Sequence, residues 1–306
     1  NDKNLINLLE YTINRNGTEL HICPGAVPFI RINGKLKEIS VSPFTTAEAK
    51  SITDKIIDVD QKHVLLKSRT TNLTFSINDV GRFRAYIYSQ RGTFATTIRV
   101  LPFGIPAFDD LGLPEILKSL VEKQKGILIV TGMARSGKTT TLAALVDFLN
   151  ENGSRHIATI ENPIEYLHRH KKCIVSQQEI GADTPDFQTA LRWVKKSGAD
   201  VIVLSEMPRD ADPASQEHTL RRILALAEEK LILASIRDIG EYVTRLHDTD
   251  RNSLSNVLEG VVYQHLTAED GCEPKINCDV VIPDAQMREN IRTCAKTFYQ
   301  IEKKLS

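Results

Sequence analysis

The clearest chemical signal in the sequence is Gly-Met-Ala-Arg-Ser-Gly-Lys-Thr at residues 132–139. An apolar, β-branched run at 127–130, typical of a buried strand, precedes it, and apolar residues at helical spacing follow it. Glycines at both ends of such a loop let backbone N–H groups wrap a phosphate, and the helix N-terminus adds positive potential. The motif therefore predicts a phosphate-binding loop (P-loop) in the strand-to-helix context that it requires, rather than a chance glycine-rich turn.

Individual side chains of this loop suit the binding of a nucleotide. The amine of Lys138 can reach the β and γ phosphates, and the hydroxyl of Thr139 can bind Mg²⁺. We therefore expect ATP and Mg²⁺ as cofactors. The residues that we expect to bind the nucleotide are Gly132, Ser136, Gly137, Lys138, Thr139, Thr140 and, from a later strand, Glu161.

A second signal is the apolar run at 201–204, which is followed by Ser205 and Glu206. In a P-loop enzyme, an acid at the end of such a strand holds Mg²⁺ directly or through water. An apolar strand followed by an acid says little by itself, but it gains weight downstream of a P-loop. We expect Glu206 to be a metal-associated residue together with Thr139.

Two further acids, Glu161 and Glu165, follow the apolar run at 156–160. Pro163 lies between them and forces an irregular backbone, so both carboxylates are predicted to lie in a loop that faces the phosphates. One acid can polarise the attacking water while another supports the metal, since phosphoryl transfer depends on positioning and charge. The alternative is that these are solvated surface acids.

The elements that must position these residues alternate between strand and helix from residue 126 onward. Strand-like runs lie at 127–130, 156–160, 201–204 and 231–236, and helical patterns lie near 139–151, 186–197, 213–229 and 253–266. Such alternation predicts a parallel sheet covered by helices. Ligands of such sheets bind at the carboxyl ends of the strands, where the P-loop and the acids are found.

Residues 1–100 have a different pattern, which predicts a separate α+β domain with a mostly antiparallel sheet. Helical patterns lie at 5–14 and 45–66, and strands at 18–22, 29–37 (with an Asn33-Gly34 type I′ turn), 73–77, 81–88 and 93–100. Arginines at 82, 84, 91 and 99 are predicted to form a row along one sheet edge, or else a solvated strand face. The proline-rich stretch 101–114 predicts a stiff linker to the second domain, 115–306.

The composition of the chain narrows the classes of partner. Lys plus Arg equals Asp plus Glu at 39 each, and no basic block occurs, so nucleic acid is not expected as a partner. No apolar run approaches the ~20 residues of a membrane helix. Five scattered cysteines suit a reducing cytoplasm. Cys272, Cys278 and His265 lack the Cys-x-x-Cys spacing of a zinc site, so free thiols are favoured.

Several further motifs occur in the order and spacing of a known family. They are Gly-Thr-Glu-Leu-His-Ile near the start, Gly-Arg-Phe-Arg-Ala at 81–85, Gln-Arg-Gly at 90–92, the segments 159–166 and 177–192, and Glu-Met-Pro-Arg-Asp at 206–210. With these motifs the chain resembles the retraction motors of type IV pili, the PilT family, within the secretion ATPase superfamily. A weak match to the family's C-terminal signature lies at 287–292.

The resemblance implies a PAS-like N-terminal domain joined to a RecA-like ATPase domain with C-terminal helices. It implies a cytoplasmic hexamer that powers pilus retraction or a related secretion step, with an inner-membrane platform protein as its partner at the inner face of the cytoplasmic membrane. Glu165 would activate water and Glu206 would support the metal. Arg82, Arg84 and Arg99 would reach the phosphates of a neighbouring subunit.

Departures from the family pattern keep a second function open. Asn162 replaces an aspartate of the acidic box, and Ser205 and Pro208 alter the Walker B segment. Lys230 and Arg237 stand where the family has histidines. These changes are typical of a degenerate paralogue that binds nucleotide and hydrolyses little. The groups that act directly in phosphoryl transfer are present, which favours the motor.

Overall fold

The computed structural model describes residues 3–102, 104–207, 213–267 and 275–294. The chain divides into two compact units, Asn1–Gly104 and Ile105–Ser306. No helix within the described ranges is long and apolar enough to cross a lipid bilayer.

The first unit is built on a six-stranded sheet. Its strands are β1 (Glu19–Ile22), β2 (Phe29–Ile32), β3 (Lys35–Glu38), β4 (Thr70–Ile77), β5 (Gly81–Gln90) and β6 (Thr93–Val100), and its helices are α1 (Leu5–Asn14), α2 (Thr46–Ile56) and α3 (Val59–Ser68). The strand order is β3-β2-β1-β6-β5-β4, with every neighbouring pair antiparallel. Asn33 and Gly34 both have positive φ, as a type I′ turn requires. The predicted α+β class is therefore confirmed.

The prediction of one helix over 45–66 is wrong, because two helices occupy this stretch. Thr45 and Glu48 form a capping box that begins α2, which ends at Ile56. Asp58 then begins α3, and its carboxylate accepts a hydrogen bond from the backbone N–H of Gln61 at 2.7 Å. A second N-cap inside a helical pattern marks a new helix start, because its side chain satisfies N–H groups that have no partner at the first turn.

The predicted position of the arginine row at a sheet edge is also wrong. β5 and β6 are interior strands, and Arg84 lies directly opposite Arg99 in their antiparallel register. Phe83, Ala85 and Ile87 are fully buried on the other face of β5. Since side chains alternate between faces, Arg82, Arg84 and Arg99 share the face that is turned away from this core.

The second unit is a seven-stranded sheet covered by helices on both faces. Its strands are β7 (Gly126–Thr131), β8 (His156–Glu161), β9 (Ile174–Glu179), β10 (Val201–Leu204), β11 (Leu231–Ile236), β12 (Leu258–Thr267) and β13 (Lys275–Val281). They lie in the order β13-β12-β7-β11-β10-β8-β9. Only the β12–β13 pair among these described strands is antiparallel, which confirms the mainly parallel sheet.

The helices of this unit bury two apolar cores, one on each face of the sheet. They are α4 (Ile116–Val121), α5 (Lys138–Asn152), α6 (Phe187–Ser197), α7 (Pro213–Ala227), α8 (Ile239–Thr244), α9 (Asp248–Val257) and α10 (Ala285–Thr293), with a short 3-10 helix at Asp109–Leu111. Leu117 of α4 and Leu145 of α5 belong to one core, and residues of α6 to α10 belong to the other.

The helix predicted at 253–266 is wrong. α9 ends at Val257, and residues 258–267 form β12, which pairs with β7. Apolar residues at 257, 258, 261 and 262 fit a helical spacing, but they also fit a strand that is buried on both faces. A Cβ at Gly260 would lie 3.0 Å from the side-chain end of Leu128, so the tight packing of side chains at this point of β12 favours glycine.

Candidate functional site

The P-loop runs from the end of β7 into the first turn of α5, as the motif predicts. Every residue of β7 is buried, which fixes the strand in the centre of the sheet. Gly137 has φ +87° and Gly132 has φ +156°, and a side chain at either position would collide with Gln264 of β12. Both glycines of the motif are therefore required by backbone conformation and by close packing.

The charged end of Lys138 lies over the P-loop itself. Its Nζ donates hydrogen bonds to the carbonyl oxygens of Gly132 at 2.7 Å and Met133 at 2.8 Å. Ser136 is 5% exposed, and its buried hydroxyl has no hydrogen-bond partner among the described residues. A cation and an unsatisfied hydroxyl thus lie in the same glycine-containing loop, an arrangement that fits a phosphate group.

Gln264 is a residue of the site that the sequence predictions missed. It is 3% exposed on β12, its Nε2 donates to the carbonyl of Ser136 at 2.7 Å, and its Oε1 accepts from the hydroxyl of Thr141 at 2.8 Å. The contact joins positions 128 residues apart in the chain. No local pattern in the sequence marks such a residue. The helix predicted over 253–266 also gave no reason to place Gln264 beside the P-loop, whereas the strand β12 does.

The acid Glu161 lies at the last position of β8, beside the P-loop helix. Together with Thr139, Thr159 and Ser205 it lines a cavity between α5 and the sheet. Its Oε1 accepts hydrogen bonds from Thr159 Oγ1 at 2.6 Å and Gln177 Nε2 at 2.9 Å. Burial raises the pKa of this carboxyl and outweighs the two hydrogen bonds, which favour the charged form. Glu161 is therefore a buried acid and not a solvated one.

The loop after β8 is tied both to the P-loop helix and to β9. The hydroxyls of Thr140 and Tyr166 are hydrogen-bonded at 3.0 Å. Gln177 of β9 donates to the Tyr166 carbonyl at 2.9 Å and accepts from the backbone N–H of His168, also at 2.9 Å. Glu179 accepts from the N–H of Ile164 at 3.0 Å. Two residues of β9 therefore hold the backbone of the loop that carries Glu165.

The two acids expected to act in hydrolysis are less enclosed than Glu161. Glu165 is half-buried, Glu206 is exposed, and no described residue forms an ion pair with either. Glu206 follows β10, whose last residue Leu204 is in register with Ile160 of β8. The acids therefore follow neighbouring strands at the carboxyl edge of the sheet. Pro208, one of the altered Walker B positions, lies outside the described residues.

The arginines expected to act between subunits lie in the first unit. Arg82 donates hydrogen bonds to Thr74 Oγ1 at 3.2 Å and Ser76 Oγ at 3.4 Å. Arg99 is exposed, and Arg84 is half-buried opposite it. Two like charges directly opposite on a sheet repel each other, so an anion between them would relieve the repulsion.

A zinc site that uses His265 and Cys278 does not fit the strand register. Cys278 is opposite Gln264, whereas His265 is opposite Asn277. Because successive side chains of a strand alternate between faces, His265 and Cys278 lie on opposite faces of the sheet. Cys272 lies outside the described residues.

The comparison with known proteins agrees with this geometry. The family model described as type II/IV secretion system protein matches residues 107–301, which include the P-loop and both acid-bearing strands. The chain belongs to this family. It is 30% identical over 296 residues to the type IV pilus retraction ATPase PilT of Pseudomonas aeruginosa. The aligned residues cover 93% of this chain and 84% of that protein. The predicted family resemblance is confirmed.

Two further proteins are about as similar to this chain in sequence or fold. An uncharacterised Escherichia coli protein, YggR, is 32% identical over 277 residues, 87% of this chain and 82% of its own. The structure of the pilus retraction motor PilT with bound ADP has a TM-score of 0.88 at 31% identity and covers 98% of this chain and 89% of its own. This secretion family member is therefore a P-loop ATPase with the fold of its pilus relatives.

Proposed function

We propose that this chain hydrolyses ATP as one subunit of a hexameric motor that powers type IV pilus retraction or a related secretion step. The observation that carries the proposal is the P-loop at the carboxyl edge of the parallel sheet, together with three acids at the same edge: Glu161 ends β8, Glu165 follows β8, and Glu206 follows β10. The family to which the chain belongs supports the same activity. A related motor was solved with ADP, which supports a nucleotide as the ligand here.

The nucleotide phosphates would bind at Gly132, Ser136, Gly137 and Lys138. The amine of Lys138 rests on loop carbonyls and can turn from them to phosphate oxygens. The unsatisfied hydroxyl of Ser136 offers a further donor. Thr140 is tied to Tyr166, so it would act on the nucleotide by holding the start of α5.

Mg²⁺ would be held by the hydroxyl of Thr139 and, directly or through water, by Glu206. When bound, the ion neutralises charge on the phosphate oxygens. Glu165 would orient and polarise the attacking water. Glu161 lines the cavity beside Thr139 and accepts hydrogen bonds from Thr159 and Gln177, so it would support the nucleotide site by holding these groups at the base of the cavity.

Arginines from a neighbouring subunit would complete the site. Arg84 and Arg99 form a pair of like charges on the sheet face opposite the buried Phe83 and Ala85, which is an arrangement that attracts an anion. A residue of this kind can contribute about 10³- to 10⁵-fold to the rate of phosphoryl transfer. Assembly into a ring would therefore be a condition for activity, and an inner-membrane platform protein would be the partner that receives the motion.

A second candidate function is a regulatory paralogue that binds nucleotide with little hydrolysis. Arg237, at a family histidine position, directly follows β11 and is exposed. Lys230, at the other family histidine position, directly precedes β11. A cation at the end of β11 could still contact a phosphate, so this observation alone does not remove turnover.

Phosphate release at concentrations that support assembly tests the proposal. The wild type with Mg²⁺ and ATP is expected to release phosphate, and Lys138→Ala is expected to be silent because it loses the phosphate-binding cation. Lys195→Ala, an exposed lysine of α6, is the matched control and should keep full turnover. Equal silence of wild type and Lys138→Ala, with ADP still bound by the wild type, would support the regulatory paralogue instead.

A further inference from the structure

Gln264 occupies a position where the strand β12 meets the P-loop. Tyr263, the residue before it, is paired with Thr131, the last residue of β7. Gln264 therefore lies beside the point at which β7 gives way to the loop. It is almost completely buried, at 3% exposure.

The side-chain amide of Gln264 bridges the two ends of the loop-to-helix junction. One end of the amide donates to the carbonyl of Ser136, and the other accepts from the hydroxyl of Thr141 in the first turn of α5. The orientation of the amide is fixed by these partners, because turning it over would place its oxygen against the Ser136 carbonyl oxygen. Both hydrogen bonds are buried, where unsatisfied groups are costly.

The hydrogen bond to Ser136 also sets the direction of the next peptide group. In a trans peptide the C=O and the following N–H point in opposite directions. A Ser136 carbonyl held towards Gln264 therefore turns the N–H of Gly137 away from β12. Backbone N–H groups of this loop are the donors that wrap a phosphate, so their direction matters for binding.

The same residue explains why the motif needs its glycines in this fold. A side chain at Gly132 would overlap the backbone oxygen of Gln264, and a side chain at Gly137 would lie 2.9 Å from Gln264 Nε2. The P-loop is thus seated on Gln264 at three points: both glycines and the Ser136 carbonyl.

We propose that Gln264 is a positioning residue that fixes the P-loop in its phosphate-binding conformation, so that β12 sets the affinity for the nucleotide. The proposal rests on the proposed nucleotide-binding function. Gln264 acts through the loop backbone and needs no contact with the nucleotide. If Gln264 were only a buried structural amide, its substitution would lower the stability of the fold and leave nucleotide affinity unchanged. If it is a positioning residue, its substitution lowers nucleotide affinity by more than the change in stability explains.

The test measures the dissociation constant of a fluorescent ADP analogue (mant-ADP), the thermal midpoint without nucleotide, and KM and kcat for phosphate release. Gln264→Leu removes both hydrogen bonds and is expected to weaken mant-ADP binding at least about tenfold, with KM rising in step. Gln264→Glu keeps the acceptor for Thr141 but sets an oxygen against the Ser136 carbonyl, so binding should weaken at least as much. Thr141→Val removes only the anchor of the amide and should weaken binding by a smaller factor.

The matched control is Gln178→Leu, a glutamine of β9 in the same sheet whose amide oxygen has no hydrogen-bond partner among the described residues. It should leave mant-ADP binding unchanged. A lowered midpoint for Gln264→Leu with a dissociation constant within about twofold of wild type would overturn the inference. Where Gln264→Leu does not fold, Thr141→Val decides, since unchanged affinity there would contradict a held loop. If the wild type itself binds no mant-ADP, the proposed function fails first and this inference fails with it.

Discussion

The two halves of the candidate site are built differently. The P-loop half is enclosed by contacts within one chain: Gly132 and Gly137 pack on Gln264, and Lys138 is bonded to loop carbonyls. The acid half has a well-tied backbone, but Glu165 is half-buried, Glu206 is exposed, and no described residue forms an ion pair with either side chain.

This difference separates binding from hydrolysis. A loop that is fixed before its ligand arrives loses little entropy on binding, so one chain can build a nucleotide site. Carboxylates that no described residue fixes need the nucleotide, the metal or a neighbouring subunit to hold them. The structure therefore predicts that substitutions in the P-loop half change affinity, whereas substitutions in the acid half change turnover.

The largest expected effect is on turnover, from Glu165→Gln. Loss of the group that polarises water should lower kcat by about 10²- to 10⁴-fold, while mant-ADP binding stays as in wild type. Steady-state phosphate release and a binding titration measure the two quantities. Glu122→Gln, an exposed acid after α4, is the control. Unchanged turnover in Glu165→Gln would favour the regulatory paralogue.

The next effect is on affinity, from Gly132→Ala. The added methyl group overlaps backbone of β12 that cannot move away, so mant-ADP binding should weaken at least about tenfold and stability should fall by about 1–3 kcal/mol. Gly181→Ala is the matched control, because Gly181 also has positive φ (+90°) but open space around it. It should cost stability through φ strain and leave affinity intact. Equal loss of affinity in both variants would mean that backbone strain, and not the packing on β12, governs the loop.

The stability of the fold should depend on pH through His168, which lines the cavity between α5 and the sheet together with Glu161. Burial lowers the pKa of this histidine to about 4. Between pH ~6.5 and ~4 the unfolded chain then binds a proton that the folded chain does not, so stability should fall with pH, by at most about 1.4 kcal/mol per pH unit. Chemical unfolding across this range should show a shallower fall for His168→Asn. His63→Asn, an exposed histidine of α3, should follow the wild type.

The smallest effect, of opposite sign, is expected at Glu161. Its raised pKa means that the folded chain keeps a proton to higher pH than the unfolded chain, so this carboxyl lowers stability as pH rises above ~4.5. Glu161→Gln keeps an oxygen to accept from Thr159 and Gln177 and removes the group that is costly to ionise, so it should raise the thermal midpoint at pH 7.5. The gain should vanish near pH 4. A lowered midpoint at pH 7.5 would contradict the idea that the buried carboxylate of Glu161 destabilises the fold.

Much of the binding half could be predicted because its signals are local in sequence. The P-loop motif, the buried strand before it and the helix after it lie within one short segment, and the structure has all three in place. The same holds for the Asn33-Gly34 turn, where two adjacent residues define the backbone.

The features that escaped prediction depend on partners distant in sequence. The helix predicted at 253–266 is the strand β12, because apolar spacing cannot distinguish a buried strand from a buried helix. That error concealed Gln264, whose partners lie more than 120 residues earlier. The arginine row was predicted at an edge because strand order is not visible in the sequence, whereas β5 and β6 are interior strands.

The pairing of β12 with β7 has a consequence for how the chain is made on the ribosome. β7 emerges early, but its neighbours β11 and β12 lie about 100 and 130 residues further along, in register from Leu231↔Gly126 and Leu258↔Ile127. The strand that carries the P-loop is therefore apolar on both faces and unpaired at both edges until β11 has been made, and it stays unpaired at one edge until β12 has been made. Strand pairs between residues far apart in the chain form slowly, and the unpaired strand edges are prone to aggregate until those pairs form. A nascent chain stalled before β12 should therefore be the form most dependent on chaperones.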